Sequence, residues 1–227
     1  ALLNPDARAQ PQWLEALLDA AIRNPQFEFF ASKMFKADMP DRLDGAGDHF
    51  CPSGWAYARG KDLEAGFFSL EEEVFSPCAG AALYRRGAFL DAGGFDPDFF
   101  CYMEDIDLGF RLRLLGYRCL YVPTAEVFHV GSAVAGRESA FTLYHGQRNM
   151  VWVYWKNMPL GLFWVAMPLH LLLNLMAFYY GGVRGVFWEM IRAKKDALKG
   201  IPRMLHKRRM IQGKRVVEEK ALRLLMT

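Results

Sequence analysis

In PQWLEALLDAAI, the apolar residues Trp13, Leu14, Leu17, Leu18, Ala21 and Ile22 recur at helical intervals, which predicts an amphipathic helix of three turns. Pro11 suits its first turn, and Asn24-Pro25 is a stop signal. FEFFASKMF alternates poorly but is short and aromatic, so it predicts a buried strand. From Asp38 to Gly66 the chain is rich in Gly, Asp and aromatics and predicts a long loop with little regular structure, a length usually tied to function or mobility. SPCAGAALYRR is a small-residue turn entering a short strand or helix, and Gly93-Gly94 and Asp96-Pro97 are turn signals. Ile106, Leu108, Phe110, Leu112 and Leu115 predict a partly buried helix ending at Gly116, while YRCLYVP and AEVFHV predict two short strands around Pro123. Alternating strands and helices make this an α/β layer structure.

The pattern changes after Lys156. The next 27 residues, up to Arg184, carry no formal charge, which is long enough to cross a bilayer core of about 30 Å as a helix. Pro168, His170 and Asn174 interrupt the run and Gly181-Gly182 end it, so a buried core helix competes, and a re-entrant or interfacial helix pair around Pro168 competes with one clean span. Trp152, Trp155 and Trp164 suit an interfacial belt or core packing.

Charge sharpens this division. Residues 1–183 carry 15 basic against 21 acidic side chains, a net of −6, whereas residues 184–227 carry 13 against 4, a net of +9. A basic tail can seek nucleic acid or an anionic membrane, and the apolar run before it favours the cytoplasmic membrane face over nucleic acid. The overall composition of the 227 residues is that of a globular protein. Cys51, Cys78, Cys101 and Cys119 form no CxxC pair, which argues against a zinc ribbon or a thioredoxin-like motif and suits a reducing compartment. The opening ALLNPDA reads as the cut end of a strand, so the chain is expected to be a fragment whose beginning is missing.

Within FFCYMEDIDLGFR, Glu104, Asp105 and Asp107 place three carboxylates among aromatic and aliphatic neighbours. The surrounding run GGFDPDFFCYMEDIDLGFRLRLLGYRCLYVPTAEVFHVGS resembles the signature of family 2 glycosyltransferases, particularly the rhamnosyltransferase-like branch. The resemblance covers about residues 1–157 and is densest from Gly93 to Ser132. It implies a truncated GT-A domain, Rossmann-like with a mixed sheet, at 1–157, a hydrophobic membrane-associated helical segment at 158–183 and a basic amphipathic helical tail at 184–227.

The same resemblance implies site roles. Asp105 becomes the catalytic base of an inverting transfer, a single displacement in which one carboxylate takes the acceptor proton, and a helix N-terminus would favour its ionised form. Glu104 binds or orients the acceptor hydroxyl. Asp107 is a substrate-binding candidate, with a cap or an i,i+4 pair with Arg111 as its alternative. LLNPDA is similar to the DxD element, with Asn4 replacing the first acid. Asp6 and His129 are then the ligands of a divalent Mg²⁺ or Mn²⁺, which takes few carboxylates and completes its shell with phosphate oxygens and water. Asn4 is left to the ribose or phosphate. Ala79 and Gly80 of SPCAGAAL lie under the substrates, unless their small size only permits tight packing. Arg148 of GQRN bridges to the leaving diphosphate or makes a surface contact.

The implied activity is transfer of a sugar, rhamnose or another hexose, from a nucleotide-sugar donor to a cell-envelope glycan or lipid-linked acceptor at the cytoplasmic face of the membrane. The alternative is a non-catalytic membrane-docking or scaffold module, for which Asn4 is the chief sign. A QxxRW element is absent, which disfavours a processive synthase, and without HExxH a metal-dependent hydrolase is the weaker reading.

Overall fold

The computed structural model describes residues 1–131 and 139–227; Ser132, at the end of the densest motif run, lies outside them. The strands are β1 Leu2–Leu3, β2 Ala7–Ala9, β3 Phe29–Lys36, β4 Leu43–Gly45, β5 Asp48–Phe50, β6 Ala56–Ala58, β7 Glu72–Val74, β8 Ala81–Tyr84 and β9 Cys119–His129. The helices are α1 Trp13–Arg23, α2 Arg86–Asp91, α3 Glu104–Leu114, α4 Ala140–Asn157, α5 Leu160–Val183, α6 Phe187–Gly213 and α7 Glu219–Leu224. A mixed sheet runs β1-β8-β3-β9-β2, with β4 also paired to β3 and β7 to β9. Strands β3 and β9 are parallel, and the other pairings are antiparallel.

Every residue of β3 is buried, because the strand is central and covered on both faces. Its side chains divide with the period of two expected of a strand. Phe30 and Met34 join Trp13, Leu17 and Ala20 of α1, while Phe29 and Ala31 join Leu108 and Leu112 of α3. Ser32, on the α1 side, accepts a hydrogen bond from Trp13 Nε1 at 2.8 Å, so the indole is satisfied inside the core. Truncating Phe30 to Ala would leave a cavity costing about 3–5 kcal/mol.

The expected face of α1 is rotated. Trp13, Leu17 and Ala20 are buried, but Leu14, Leu18 and Ile22 are 44%, 47% and 77% exposed. Apolar periodicity located the helix, and the position of the sheet beneath it chose the buried stripe. The expected loop from Asp38 to Gly66 contains β4, β5 and β6, three strands too short to show a period in sequence.

The two strands expected around Pro123 are one strand, β9. Phe29 to Ser32 pair with Cys119 to Val122, the register then slips past Pro123, Thr124 and Ala125, and pairing resumes from Lys33 opposite Glu126 to Lys36 opposite His129. A proline without an N–H is accommodated in that irregularity. Helix α3 ends as expected: Gly116 has φ +86°, with Gly116 N–H donating to Arg113 O and Tyr117 N–H to Leu112 O, the paired bonds of a Schellman motif.

Helix α5 passes through Pro168 unbroken, so no helix pair forms there. The reversal lies after Gly181, where α5 hands over to α6. Among the described residues, α5 is the helix long and apolar enough to cross a membrane, with mean hydropathy 1.7 in its 18-residue window and 17% of that window buried. Phe163, Ala166 and His170 form its buried face; His170 stacks on Tyr154 and its Nδ1 lies 2.7 Å from Ser53 O. Trp152 is in the core, donating from Nε1 to Ala197 O at 2.9 Å, and so takes no part in an interfacial belt, whereas Trp164 is exposed. One hydrophobic cluster joins α3 through Phe110 and Leu114 to α4 through Val151 to Tyr154, to α6 through Met204 and to α7 through Leu222.

Candidate active site

The C-terminal end of β9 brings His129 opposite Ala7 of β2, so Asp6, one residue earlier, faces the same imidazole. Asp6 Oδ1 is 3.4 Å from His129 Nε2. On the other side of the ring, Nδ1 lies 2.7 Å from Asp44 Oδ2. The Asp44 hydrogen bond, outweighing burial and helped by the charges of Asp44 and Asp6, raises the His129 pKa. A neutral imidazole donating from Nδ1 to Asp44 would present its Nε2 lone pair toward Asp6, the arrangement by which a carboxylate orients a metal-binding histidine.

Antiparallel pairing of β1 with β8 places Asn4 beside the small-residue turn before β8, and Asn4 N–H donates to Gly80 O at 2.9 Å. A Cβ on Gly80 would stand 3.3 Å from both Asn4 Nδ2 and Cys78 Sγ, so a larger residue would press on the turn that borders the pocket. The adjacent Ala79 N–H donates to Asp105 Oδ2 at 3.2 Å, and Ile106 N–H donates to Asp105 Oδ1 at 2.8 Å. These contacts aim the first turn of α3 at β1 and β8.

Asn4, Asp6, Ala79, Gly80, Glu104, Asp105 and His129 line one cavity of about 430 Å³. Seven of the nine expected site residues are therefore neighbours. Burial raises the Asp105 pKa despite its backbone hydrogen bonds, which reverses the expectation that the helix N-terminus would dominate. Burial and the charge of Asp105 push Glu104 up to about 7, and Glu104 Oε2 is buried without a hydrogen-bond partner among the described residues. Asp48 is also raised well above the carboxylate range, by burial and then by Asp105. Glu104 and Asp105 in the pocket, and Asp48 beside Asp105, thus hold protons unusually tightly for their type.

Two expected substrate contacts are corrected. Asp107 has no exposed side-chain surface: its carboxylate accepts from Arg111 Nε and Nη2 at 2.9 and 2.7 Å, from Lys156 Nζ at 2.8 Å and from Asn157 Nδ2 at 2.8 Å. Two residues beyond Asp105, the helix turns it into the interior, where internal donors consume its acceptor capacity. Arg148 donates to Asp98 O and Phe99 O at 3.3 and 2.9 Å and lies over the Trp152 ring at 4.3 Å. It clasps the loop before α3, which keeps its guanidinium from the pocket.

The next residue, Asn149, is one that sequence reasoning passed over. Its Nδ2 lies within 2.9 Å of the carbonyl oxygens of Phe99, Cys101 and Tyr102. Phe100, Tyr102 and Met103 all have φ between +62° and +67°, a left-handed conformation that costs roughly 1–2 kcal/mol per residue. The Arg148-Asn149 clasp holds this strained turn and so sets the start of α3. Asp44 was also passed over: RLDGAGD carries no sign that one of its acids meets a histidine 85 residues later.

A model of the family described as "Glycosyltransferase like family 2" matches residues 1–154. The chain belongs to the glycosyltransferase-like family 2. This membership and the mixed α/β sheet agree with the expected fold class. The chain is 36% identical over 152 residues to the N-acetylglucosaminyl-diphospho-decaprenol L-rhamnosyltransferase of Mycobacterium tuberculosis, covering 60% of this chain and 48% of that protein. It is 47% identical over 59 residues to the rhamnosyltransferase WbbL of Escherichia coli, covering 26% and 22%. The chain thus spans about half the length, or less, of these curated relatives. A solved structure of GalNAc-T7 with UDP, GalNAc and Mn²⁺ matches with TM-score 0.48 and 16% identity, over 68% of this chain and 31% of that one; at that level the likeness carries no argument here.

Among the described residues of this family-2 chain, no three His, Cys, Asp or Glu side chains gather as a complete metal cage. Asp6 and His129 offer two ligands, with Asp44 fixing the imidazole. That donor set fits a divalent ion that draws its remaining oxygens from a diphosphate and water.

Proposed function

We propose that this chain carries the acceptor side and the metal-binding side of an inverting, metal-dependent glycosyltransferase. It would move a sugar, rhamnose or another hexose, from a nucleotide sugar to a lipid-linked envelope glycan at the cytoplasmic face of the membrane. The observation that carries this reading is the single pocket in which Asp105 stands across the Ala79-Gly80 turn from Asp6 and His129. The rhamnosyltransferase relatives supply the substrate class, and the apolar α5 followed by a basic segment supplies the membrane side. Residues 1–157 hold the chemistry, 158–183 meet the lipid and 184–227 add the basic tail.

Asp105 takes the proton of the acceptor hydroxyl as that oxygen attacks the anomeric carbon and the sugar–phosphate bond breaks. A positioned carboxylate suffices for this step. A divalent ion held by Asp6 and His129 supplies charge stabilisation to the departing diphosphate when bound. Asn4 borders the same wall and suits a polar group of the donor. Glu104, partly protonated near neutral pH, can donate to or accept from an acceptor hydroxyl. The preserved pocket favours the enzyme over the docking-module alternative.

The test is Asp105→Asn in the protein with purified donor and acceptor, reading released nucleoside diphosphate and, separately, donor binding. Loss of turnover with retained donor affinity supports the assignment; near-normal turnover overturns it.

A further inference from the structure

A second, apolar hollow of about 500 Å³ lies away from the carboxylates, lined by α4, α5 and α6. Helices α4 and α6 run in the same direction, since Tyr144 meets Asp196, Trp152 meets Ala197 and Asn157 meets Gln212. Helix α5 runs in the opposite direction alongside them, with Phe163 under Arg208 and Gly181 against Met190. The cavity walls include Leu143 and Met150 of α4, Leu173 and Met176 of α5, and Met190 of α6. Gln147 in this wall is tied to Lys194, which donates to its backbone and side-chain oxygens at 3.0 and 2.9 Å.

This hollow and the carboxylate pocket border a common recess. A smaller recess of about 240 Å³ shares Trp55, Leu143, Gln147 and Met150 with it, and shares Tyr102 and Met103 with the carboxylate pocket. At its far end Met176 and Tyr180 are 61% and 48% exposed, on the same helix as outward Leu172, Leu175 and Tyr179. In series, the three hollows run from the proposed base, past the apolar walls of α4, to the exposed apolar face of α5. A water-soluble glycan would use only the first part of this path.

We propose that this path is the binding groove for the prenyl tail of the lipid-linked acceptor, which enters sideways from the bilayer between α4 and α5 and leaves its sugar at Asp105. The proposal rests on the glycosyltransferase reading of the pocket. Three methionines in the wall, Met150, Met176 and Met190, suit a methyl-branched chain because their unbranched thioethers repack around irregular shapes. The strained turn at Tyr102 and Met103 then has a second consequence: it forms the threshold between the polar head site and the apolar groove.

The test uses a diazirine-bearing polyprenyl diphosphate without sugar, photolysed with the protein in nanodiscs of phosphatidylethanolamine and phosphatidylglycerol, and adducts mapped by mass spectrometry. Adducts should fall on Leu143, Met150, Leu173 or Met190 and drop about tenfold with excess unlabelled polyprenyl diphosphate, but not with added phospholipid. Adducts confined to Leu172, Leu175 and Tyr179, equal competition by phospholipid, or no adducts would each overturn the proposal. Ala177→Trp, which fills the cavity, should abolish groove labelling and raise KM for a long-chain acceptor about tenfold. Undiminished labelling in that variant, with its melting temperature unchanged, would also overturn it. Labelling requires no transfer, so a failed transfer assay tests the glycosyltransferase reading and leaves the groove result standing.

Discussion

Asp105 and Asp107 stand two residues apart on one helix, the first half-buried and the second fully buried, and their surroundings are opposite. Asp105 is held by the backbone N–H groups of Ala79 and Ile106, has acidic neighbours in Glu104 and Asp48, and faces a cavity. Asp107 is enclosed by Arg111, Lys156 and Asn157, and the network continues through Lys156 to Asp96 and from there to Lys207. These lysines hold Asp96 down at about 2 despite burial, whereas Glu104, with no cation paired to it among the described residues, rises to about 7. Burial alone does not make a carboxylate reactive; burial without a counter-charge, beside a cavity, leaves a group able to exchange protons near neutral pH.

The largest expected effect falls on the unpaired side. Asp105→Asn should lower kcat by roughly 10²- to 10⁴-fold with little change in thermal melting, since the change removes a proton acceptor and no internal ion pair. On the paired side, Lys156→Met should leave Asp107 and Asp96 short of a buried cation and cost about 3–5 kcal/mol in denaturant unfolding, with turnover per folded molecule retained. If Lys156→Met instead abolished turnover without loss of stability, the division between the two regions would fail.

Smaller effects refine the comparison. Asp44→Asn should raise the metal concentration for half-maximal activity about 10- to 100-fold, because the imidazole loses its orienting carboxylate while both proposed ligands remain. Asn149→Ala should cost about 1–3 kcal/mol by freeing the carbonyls of the strained turn, and should weaken acceptor KM more than donor KM. Glu104→Gln should move the acidic limb of the kcat/KM profile to lower pH. The base must be ionised to act, and removing a neighbouring negative charge lets Asp105 lose its proton more readily, so the limb shifts in that direction. A limb that stayed in place would show the two groups to be uncoupled.

Much of the site was legible in the sequence because its pieces are local. NPD, SPCAGA, ED and FHV each mark a short turn or strand end, and the parallel β3–β9 pair with its antiparallel neighbours brings those ends together. The expected pair of Asp107 with Arg111 forms, being local, but the substrate contacts expected of Arg148 and Asp107 do not, because Arg148 answers to carbonyls 49 and 50 residues away and Asp107 also to Lys156 and Asn157. Asp44 and Asn149 were missed for the same reason, since a polar residue in a loop or a helix does not announce a long-range hydrogen bond.

The sequence by itself determined the elements whose signal is periodic or compositional: α1, β3, α3 with its glycine stop, the apolar α5 and the charge asymmetry of the ends. Those features depend on backbone propensity and on water avoiding apolar side chains, which act over a few residues. Tertiary packing settles which face of α1 is buried, which of Asp105 and Asp107 on α3 is ringed by cations among the described residues, and that α4, α5 and α6 line an apolar hollow beside the candidate site. Such properties depend on distances between groups far apart in the chain, and desolvation and charge pairing respond to those distances rather than to residue order.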